Sequence, residues 1–174
     1  MPIPTPPPTP NRNDPANFAA YMDAYLAWLT GQAVPEINAI ALNSAVNVYS
    51  EGTFTPVVEG TTTAGVGTYV SQVGRFTRIG NRVLFDIQVE WTAHTGTGNI
   101  RIAGLPFTSV AGIRSISPVE AGNLTIPAGS TILGRISPGT NFLSLNTVPS
   151  GGGPLSAVAM DTAANVYISG AYSV

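Results

Sequence analysis

The stretch that decides the fold is residues 68–92, TYVSQVGRFTRIGNRVLFDIQVEWT. In its second half every other residue is apolar, which is the spacing of a β-strand with one buried face. These apolar residues are Val83, Phe85, Ile87, Val89 and Trp91. The first half is also rich in β-branched and aromatic residues, and the intervening Gly80-Asn81 suits the positive φ of a tight turn. The stretch therefore predicts a long β-hairpin that turns Trp91 and Phe85 toward a core, with Phe76 beside them.

Further short strands are predicted between this hairpin and the C-terminus, separated mostly by Gly or Pro. They are residues 99–105, 112–119, 122–126, 131–136, 141–147, 155–160 and 165–172. Regular short strands with turns between them are typical of sandwiches and barrels. No strand is followed by a segment long enough for a crossover helix, which argues against a parallel α/β sheet. The sequence predicts a mainly β protein in which residues 52–174 form an antiparallel β-sandwich head of jelly-roll-like type.

The N-terminal residues 1–13 contain six prolines and predict an extended arm, because proline fixes φ and removes a backbone donor. Two interpretations remain open for this arm. It is either a disordered tail or a peg that orders only inside a partner protein.

Asp14-Pro15 predicts the start of a helix, since Asp can cap free N–H groups and Pro suits the first helical position. The apolar residues that follow recur at helical spacing along one face. They are Phe18, Tyr21, Met22, Tyr25, Leu26 and Leu29. Gly31 predicts the end of this helix.

A second helix is predicted from Pro35, with small and apolar residues spaced alternately three and four apart. They are Val34, Ile37, Ala41, Ser44 and Val48. This spacing suits a short coiled-coil seam, and the same residues could instead pack on the first helix. Residues 14–50 are thus predicted to form a helical segment with a seam suited to self-association.

The composition favours association with other chains. Only 9% of residues are charged, 44% are hydrophobic and Lys is absent, so few charges are available to cover a solvated surface. The net charge is −2 and the seven Arg are scattered, which argues against nucleic-acid binding. There is no signal-peptide pattern and no apolar run long enough to cross a membrane. We expect a protein made in the cytoplasm, without membrane insertion.

The sequence lacks the residue sets of known catalytic chemistry. The chain has no Cys and one His, His94, without a G-x-S-x-G motif. Asp86 and Glu90 share a strand face about 13 Å apart, beyond the roughly 9.5 Å limit of a glycosidase pair. They are predicted to form a polar outer face, paired with arginines of neighbouring strands. We predict no enzyme activity, no cofactor and no metal site.

Two loop regions, 92–99 and 138–147, are rich in Thr, Ser and Asn, which can hydrogen-bond a glycan and are equally ordinary in loops. Tyr172, near the C-terminus, is a further candidate for contact with a ligand. The candidates are His94, Thr95, Thr97, Asn99, Asn141 and Tyr172.

Several phrases of the sequence resemble bacteriophage tail-fibre or receptor-binding proteins. The first is NRNDPANFA at residues 11–19, and the others lie within residues 52–107. They are GTFTP at 52–56, VGRFTRIGNRV at 73–83, HTGTGN at 94–99 and GLPF at 104–107. Residues 108–174 resemble these proteins only in general texture.

This resemblance implies a virion protein of the phage tail that assembles as a parallel homotrimer. The N-terminal segment would attach to a tail or baseplate protein, and the head would bind a host receptor, with a cell-surface glycan as the expected ligand. The implied attachment residues are Pro6, Pro7, Pro8, Phe18, Tyr21 and Tyr25. The chain lacks the long shaft of many fibres, which leaves a purely structural virion or baseplate appendage as the alternative.

Overall fold

The structure is a computed structural model that describes residues 5–35, 37 and 49–174. The chain divides between Val48 and Tyr49 into an N-terminal unit and a head.

The N-terminal unit contains the predicted first helix, α1, at Pro15–Trp28. Pro15 occupies the first helical position, and the Asp14 carbonyl accepts a hydrogen bond from the Phe18 N–H at 3.0 Å. The Asp14 carboxylate does not cap the backbone. It accepts instead from the side-chain amide of Asn17 at 3.1 Å.

The predicted helix end at Gly31 is wrong. The backbone continues through Gly31 as a π-helix at Leu29–Ala33, and Val34 is still right-handed helical with φ −67° and ψ −45°. A glycine ends a helix when it takes a positive φ, and Gly31 does not. The wider turn is accompanied by a hydrogen bond from Thr30 Oγ1 to the Leu26 carbonyl at 2.8 Å. A reversal at Gly31 between two helices is therefore absent.

The predicted hairpin is confirmed. Numbering strands in chain order over the described residues, β3 at Gly67–Ile79 pairs antiparallel with β4 at Arg82–His94, and Gly80 in the turn has φ 59°. The alternating residues of β4 lie in the core, with exposed fractions from 0% at Val83 to 3% at Ile87. Phe85 and Trp91 are likewise buried, and half-buried Phe76 packs against the same core.

The other strands complete an antiparallel sheet whose order is β1-β3-β4-β10-β6-β7-β8-β5-β2, with β9 beside β8. They are β1 Tyr49–Phe54, β2 Val57–Gly60, β5 Ile100–Ala103, β6 Ser115–Gly122, β7 Ser130–Ile136, β8 Phe142–Pro149, β9 Ser156–Ala157 and β10 Ala164–Ser173. Pairing between strands distant in the sequence places β10 between β4 and β6, and β8 between β7 and β5. The predicted mainly β, antiparallel sandwich is confirmed.

Strand β6 joins the two layers of this sandwich. Its second half, Val119–Gly122, pairs with β10, whereas its first half, Ser115–Pro118, pairs with β7. On the opposite side, Thr55-Pro56 carries the chain from β1 to β2, which are not paired with each other. A strand that passes from one layer to the other forms a corner of the sandwich. The core lies between the layers, and its largest fully buried members are Trp91, Tyr172, Phe85, Ile100, Ile102, Ile136, Leu143 and Leu145.

The head begins at Tyr49, three residues before the predicted start at residue 52, because Tyr49–Glu51 pair with Thr77–Ile79. Two aromatic rings fix this edge: a Cβ on Gly74 would lie 2.7 Å from the Phe54 ring, and one on Gly52 2.9 Å from Phe76. Only glycine leaves room for these rings.

The predicted strand at 122–126 is wrong beyond Gly122, where β6 ends. Asn123 has a positive φ of 61°, which breaks the extended backbone. The Asp161 carboxylate then accepts from the Thr125 N–H at 2.6 Å and holds the segment as a loop.

Candidate functional site

The predicted receptor residues do not lie together in one cluster on the head. Thr95 and Thr97 follow the C-terminal end of β4, where Thr97 pairs with Thr63. Asn141 lies beside Thr140, whose carbonyl accepts from the Ser109 N–H at 2.9 Å.

Val110, which follows Ser109, donates its N–H to the carbonyl of Ser173 at 2.8 Å. Ser173 lies opposite Arg82 at the start of β4. Asn99 directly precedes β5, and Asn141 directly precedes Phe142, which pairs with Ala103 at the end of β5. The two asparagines are therefore about 17 Å apart, at about 3.3 Å per residue. The two loop regions do not meet in one compact site.

His94 is buried, with 7% of its surface exposed, so its assignment as a receptor contact in a hairpin loop is wrong. The Gly96 N–H donates to its Nδ1 at 2.9 Å, which requires the proton of the neutral ring to sit on Nε2. Nε2 then donates to the Val58 carbonyl, also at 2.9 Å. His94 connects two layers of the head and is structural.

Tyr172 is fully buried at 0% exposure, and its assignment as a receptor contact is also wrong. Its side chain lies on the inner face of β10 and packs against the Phe85 ring at 5.8 Å. The hydroxyl donates to the Phe107 carbonyl at 3.0 Å and accepts from the Phe107 N–H at 3.3 Å. Burial raises the pKa of Tyr172 above its ordinary value of 10.0, and the hydrogen bond with Phe107 partly opposes this.

The remaining loop candidates, Thr95, Thr97, Asn99 and Asn141, have exposed side chains. Thr95 Oγ1 accepts from the Val66 N–H at 2.9 Å and so holds the neighbouring loop. The side chains of Thr97, Asn99 and Asn141 form no hydrogen bond within the described residues. These three side chains remain available to a ligand.

A concavity in the head lies away from these loops, on the outer face of β3, β4, β10 and β6. It is an open groove of about 650 Å³. On β10 the small side chains of Ser169 and Ala171 lie opposite Asp86 and Leu84 of β4. The polar and aromatic residues that line the groove are Arg75, Asp86, Gln88, Glu120, Tyr167 and Ser169.

The ladder places these side chains in two rows across the sheet. One row runs Val73, Gln88, Tyr167 and Glu120, each directly opposite the next. The second row contains Arg75, Asp86 and Ser169 in the same sense. Neighbouring strands are about 4.8 Å apart, so the first row spans about 14 Å.

Most of these polar groups have no protein partner. Asp86 Oδ1 accepts from Ser169 Oγ at 2.6 Å. Within the described residues, the side chains of Arg75, Gln88, Glu120 and Tyr167 form no hydrogen bond or ion pair. The predicted pairing of Asp86 with an arginine is not seen, although Arg75 lies directly opposite it. Arg101 pairs instead with Glu59 at 2.8 Å.

Sequence reasoning missed the groove residues, although a signal for two of them existed. The outward positions of β4 were recognised as polar, which identifies Asp86 and Gln88. The same period-2 reading of β10 turns Tyr167 and Ser169 outward, since Val166 and Ile168 are buried. What could not be read was the pairing of β10 with both β4 and β6.

The N-terminal candidates have intermediate or high exposure. Phe18, Tyr21 and Tyr25 are half-buried, and Tyr25 contacts the Trp28 ring at 5.8 Å. The predicted seam residues Val34 and Ile37 are 48% and 52% exposed. Pro6 and Pro8 are exposed and Pro7 is half-buried. Ala41, Ser44 and Val48 lie outside the described residues.

The part of the chain that the structure describes contains no group of three or more His, Asp or Glu side chains placed to hold a metal ion. None of its helices combines the length and apolar character needed to cross a membrane.

Comparison with known proteins gives a likeness in fold. No protein-family model matches the sequence, and no curated protein sequence matches it. Among solved structures, the chain is similar to the Dettilon tailspike protein (gp208), with a TM-score of 0.59 and 19% identity. The match covers 72% of this chain and 24% of the tailspike, so the chain spans about a quarter of that protein's length. At this identity the likeness concerns the fold: the head has an antiparallel β architecture that also occurs in a tailspike.

Proposed function

We propose that this protein is a component of a bacteriophage tail that attaches to the virion through residues 1–50 and binds a host-surface glycan with its β head. The observation that carries the proposal is the open outer face of the head. It holds a groove in which the side chains of Arg75, Gln88, Glu120 and Tyr167 form no hydrogen bond or ion pair within the described residues. The fold likeness to a tailspike and the phrases at residues 11–19 and 52–107 support a tail appendage.

The experiment is a binding screen of the intact chain against an array of purified bacterial capsular polysaccharides and lipopolysaccharide O-chains. The proposal expects saturable binding to at least one polysaccharide, without release of shorter sugars. A folded protein that binds none of them, and also fails to bind cells of the host strain, would contradict receptor binding.

The proposal includes a homotrimer formed through the helical seam. Val34 and Ile37 support it because both apolar side chains are about half exposed in a single chain. Light scattering after size-exclusion chromatography tests it directly. A clean monomer of the intact chain at micromolar concentration would contradict the trimer.

A purely structural appendage is favoured by one feature of the same sheet. Four large apolar side chains lie exposed on its outer face and edge, as expected where another protein covers them. They are Tyr49 at 53%, Val73 at 45%, Ile79 at 50% and Leu84 at 46%. In this case the head would bind purified tail particles that lack the protein and would ignore every polysaccharide.

A further inference from the structure

We infer that the groove on the outer face of β3, β4, β10 and β6 is the glycan-binding site of the head, with Tyr167 as its stacking platform. This inference rests on the proposed function and assigns it to a place in the fold. It places the site in the middle of a sheet, instead of in the loop regions 92–99 and 138–147 that the sequence suggested.

The shape of the groove suits an extended chain of sugars. Its volume of about 650 Å³ lies within the range of small-molecule sites. The first row crosses four strands from Val73 to Glu120 with Tyr167 as its member on β10, and the second row places the small Ser169 two residues further along that strand. The groove is open to solvent, as an internal segment of a long polysaccharide requires.

The chemistry of the lining suits hydroxyl groups, each of which both donates and accepts hydrogen bonds. Arg75 and the Gln88 amide can donate, whereas Glu120 and the free oxygen of Asp86 can accept. These groups have no partners among the described residues, so a ligand need not displace an internal bond. A glycan also presents apolar C–H faces, which pack on an aromatic ring such as Tyr167.

Tyr167 is held in place for this role. Its backbone pairs on one side with Gln88 and on the other with Glu120, so the ring projects from the centre of the sheet between two polar neighbours. A side chain on a paired central strand is better fixed than one on a loop, and ligand binding then costs less ordering entropy.

The loop regions 92–99 and 138–147 offer a weaker site. Thr95 is already bonded to the neighbouring loop, and His94 is buried. The exposed Asn99 and Asn141 lie at opposite ends of β5, about 17 Å apart, and there is no aromatic ring among the exposed candidates.

The test uses the intact chain and the polysaccharide that it binds most strongly on the array. We expect Tyr167→Ala to weaken binding about tenfold or more, as at interface hot spots. Tyr167→Phe should retain most of the affinity because the ring remains. Gln88→Ala, at an exposed position whose amide forms no hydrogen bond within the described residues, should weaken binding severalfold. Tyr49→Ala is the matched control, an exposed tyrosine on the same sheet outside the groove.

The outcomes separate the site from the function. Loss of binding in Tyr167→Ala and Gln88→Ala, with circular dichroism and melting temperature near wild type, supports the groove. Unchanged binding in both, together with loss in Thr97→Ala or Asn99→Ala, overturns the groove and leaves the proposed function standing. If the wild-type chain binds no polysaccharide and no host cells, the proposed function fails and the inference fails with it.

Discussion

The head and the N-terminal unit solve the problem of apolar surface differently. In the head, the alternating apolar residues of β4 and β10 are buried within the chain itself, with Trp91 at 1% and Val166 at 0% exposure. In the described part of the N-terminal unit, Ala33 alone is buried, whereas Leu26, Val34 and Ile37 remain about half exposed. The head is therefore stabilised by apolar contacts within the chain, whereas the apolar surface of the N-terminal unit is suited to burial by another chain.

The largest loss of head stability is expected from Trp91→Ala. The side chain fills the core and its Nε1 donates to the Asp161 carbonyl at 3.1 Å. Removing it should lower the free energy of unfolding by about 3–5 kcal/mol, measured by urea denaturation. Leu84→Ala on the same strand is the control, since Leu84 is 46% exposed and should change stability by less than about 1 kcal/mol. Equal effects of the two changes would contradict the assignment of the two faces.

A smaller loss is expected from His94→Ala, which leaves the Val58 carbonyl and the Gly96 N–H without their partner. We expect the free energy of unfolding to fall by about 2–4 kcal/mol. Thr95→Ala, at the exposed neighbour, should cost no more than about 1 kcal/mol. If His94→Ala is as stable as wild type and loses only ligand binding, His94 is a receptor contact after all.

A loss of about 1 kcal/mol is expected from Tyr172→Phe, which removes the hydroxyl bonded to Phe107. The variant should also be less sensitive to alkali. The pKa of Tyr172 is raised in the folded state, so its contribution is complete below pH 10.0 and is lost as pH rises through the folded pKa. Tyr69, whose pKa burial also raises, keeps part of the dependence in the variant. Unfolding curves from pH 8 to 11 measure this, and an unchanged alkaline slope would contradict it.

The smallest effect on the head is expected from Ile37→Asp, because Ile37 belongs to the other unit. The head should unfold as in wild type. The assembly should dissociate, since burying an unpaired carboxylate costs several kcal/mol. Light scattering separates the two readouts, with Ile37→Leu as the conservative control. An intact trimer of Ile37→Asp would contradict the seam.

The sequence predicted the fold well where neighbouring residues carry the pattern. The alternation from Val83 to Trp91 and the Gly80-Asn81 turn identify the hairpin without reference to the rest of the chain. Strand β1 escaped notice because Gly52 and Glu51 are poor strand residues, and their place is secured by Phe76 and by pairing with β3. The helix end at Gly31 was misjudged because glycine permits a stop without requiring one.

The candidate site was predicted less well, for a physical reason. Loop composition drew attention to His94, whose burial depends on Val58, distant in the sequence. Tyr172 carried a signal that was missed, since it is in phase with Val166 and Ile168 on the inner face of β10. The groove requires β10 to lie between β4 and β6, and such long-range pairing leaves no local mark in the sequence.

The most direct test of glycan binding by the open sheet face is a nuclear magnetic resonance titration. Intact ¹⁵N-labelled protein would be titrated with oligosaccharides cut from the polysaccharide that it binds on the array. The account predicts the largest shifts in the backbone amides of Gln88, Glu120, Tyr167 and Ser169. Shifts confined to residues 95–99 or to Asn141, with the sheet amides unmoved, would contradict it.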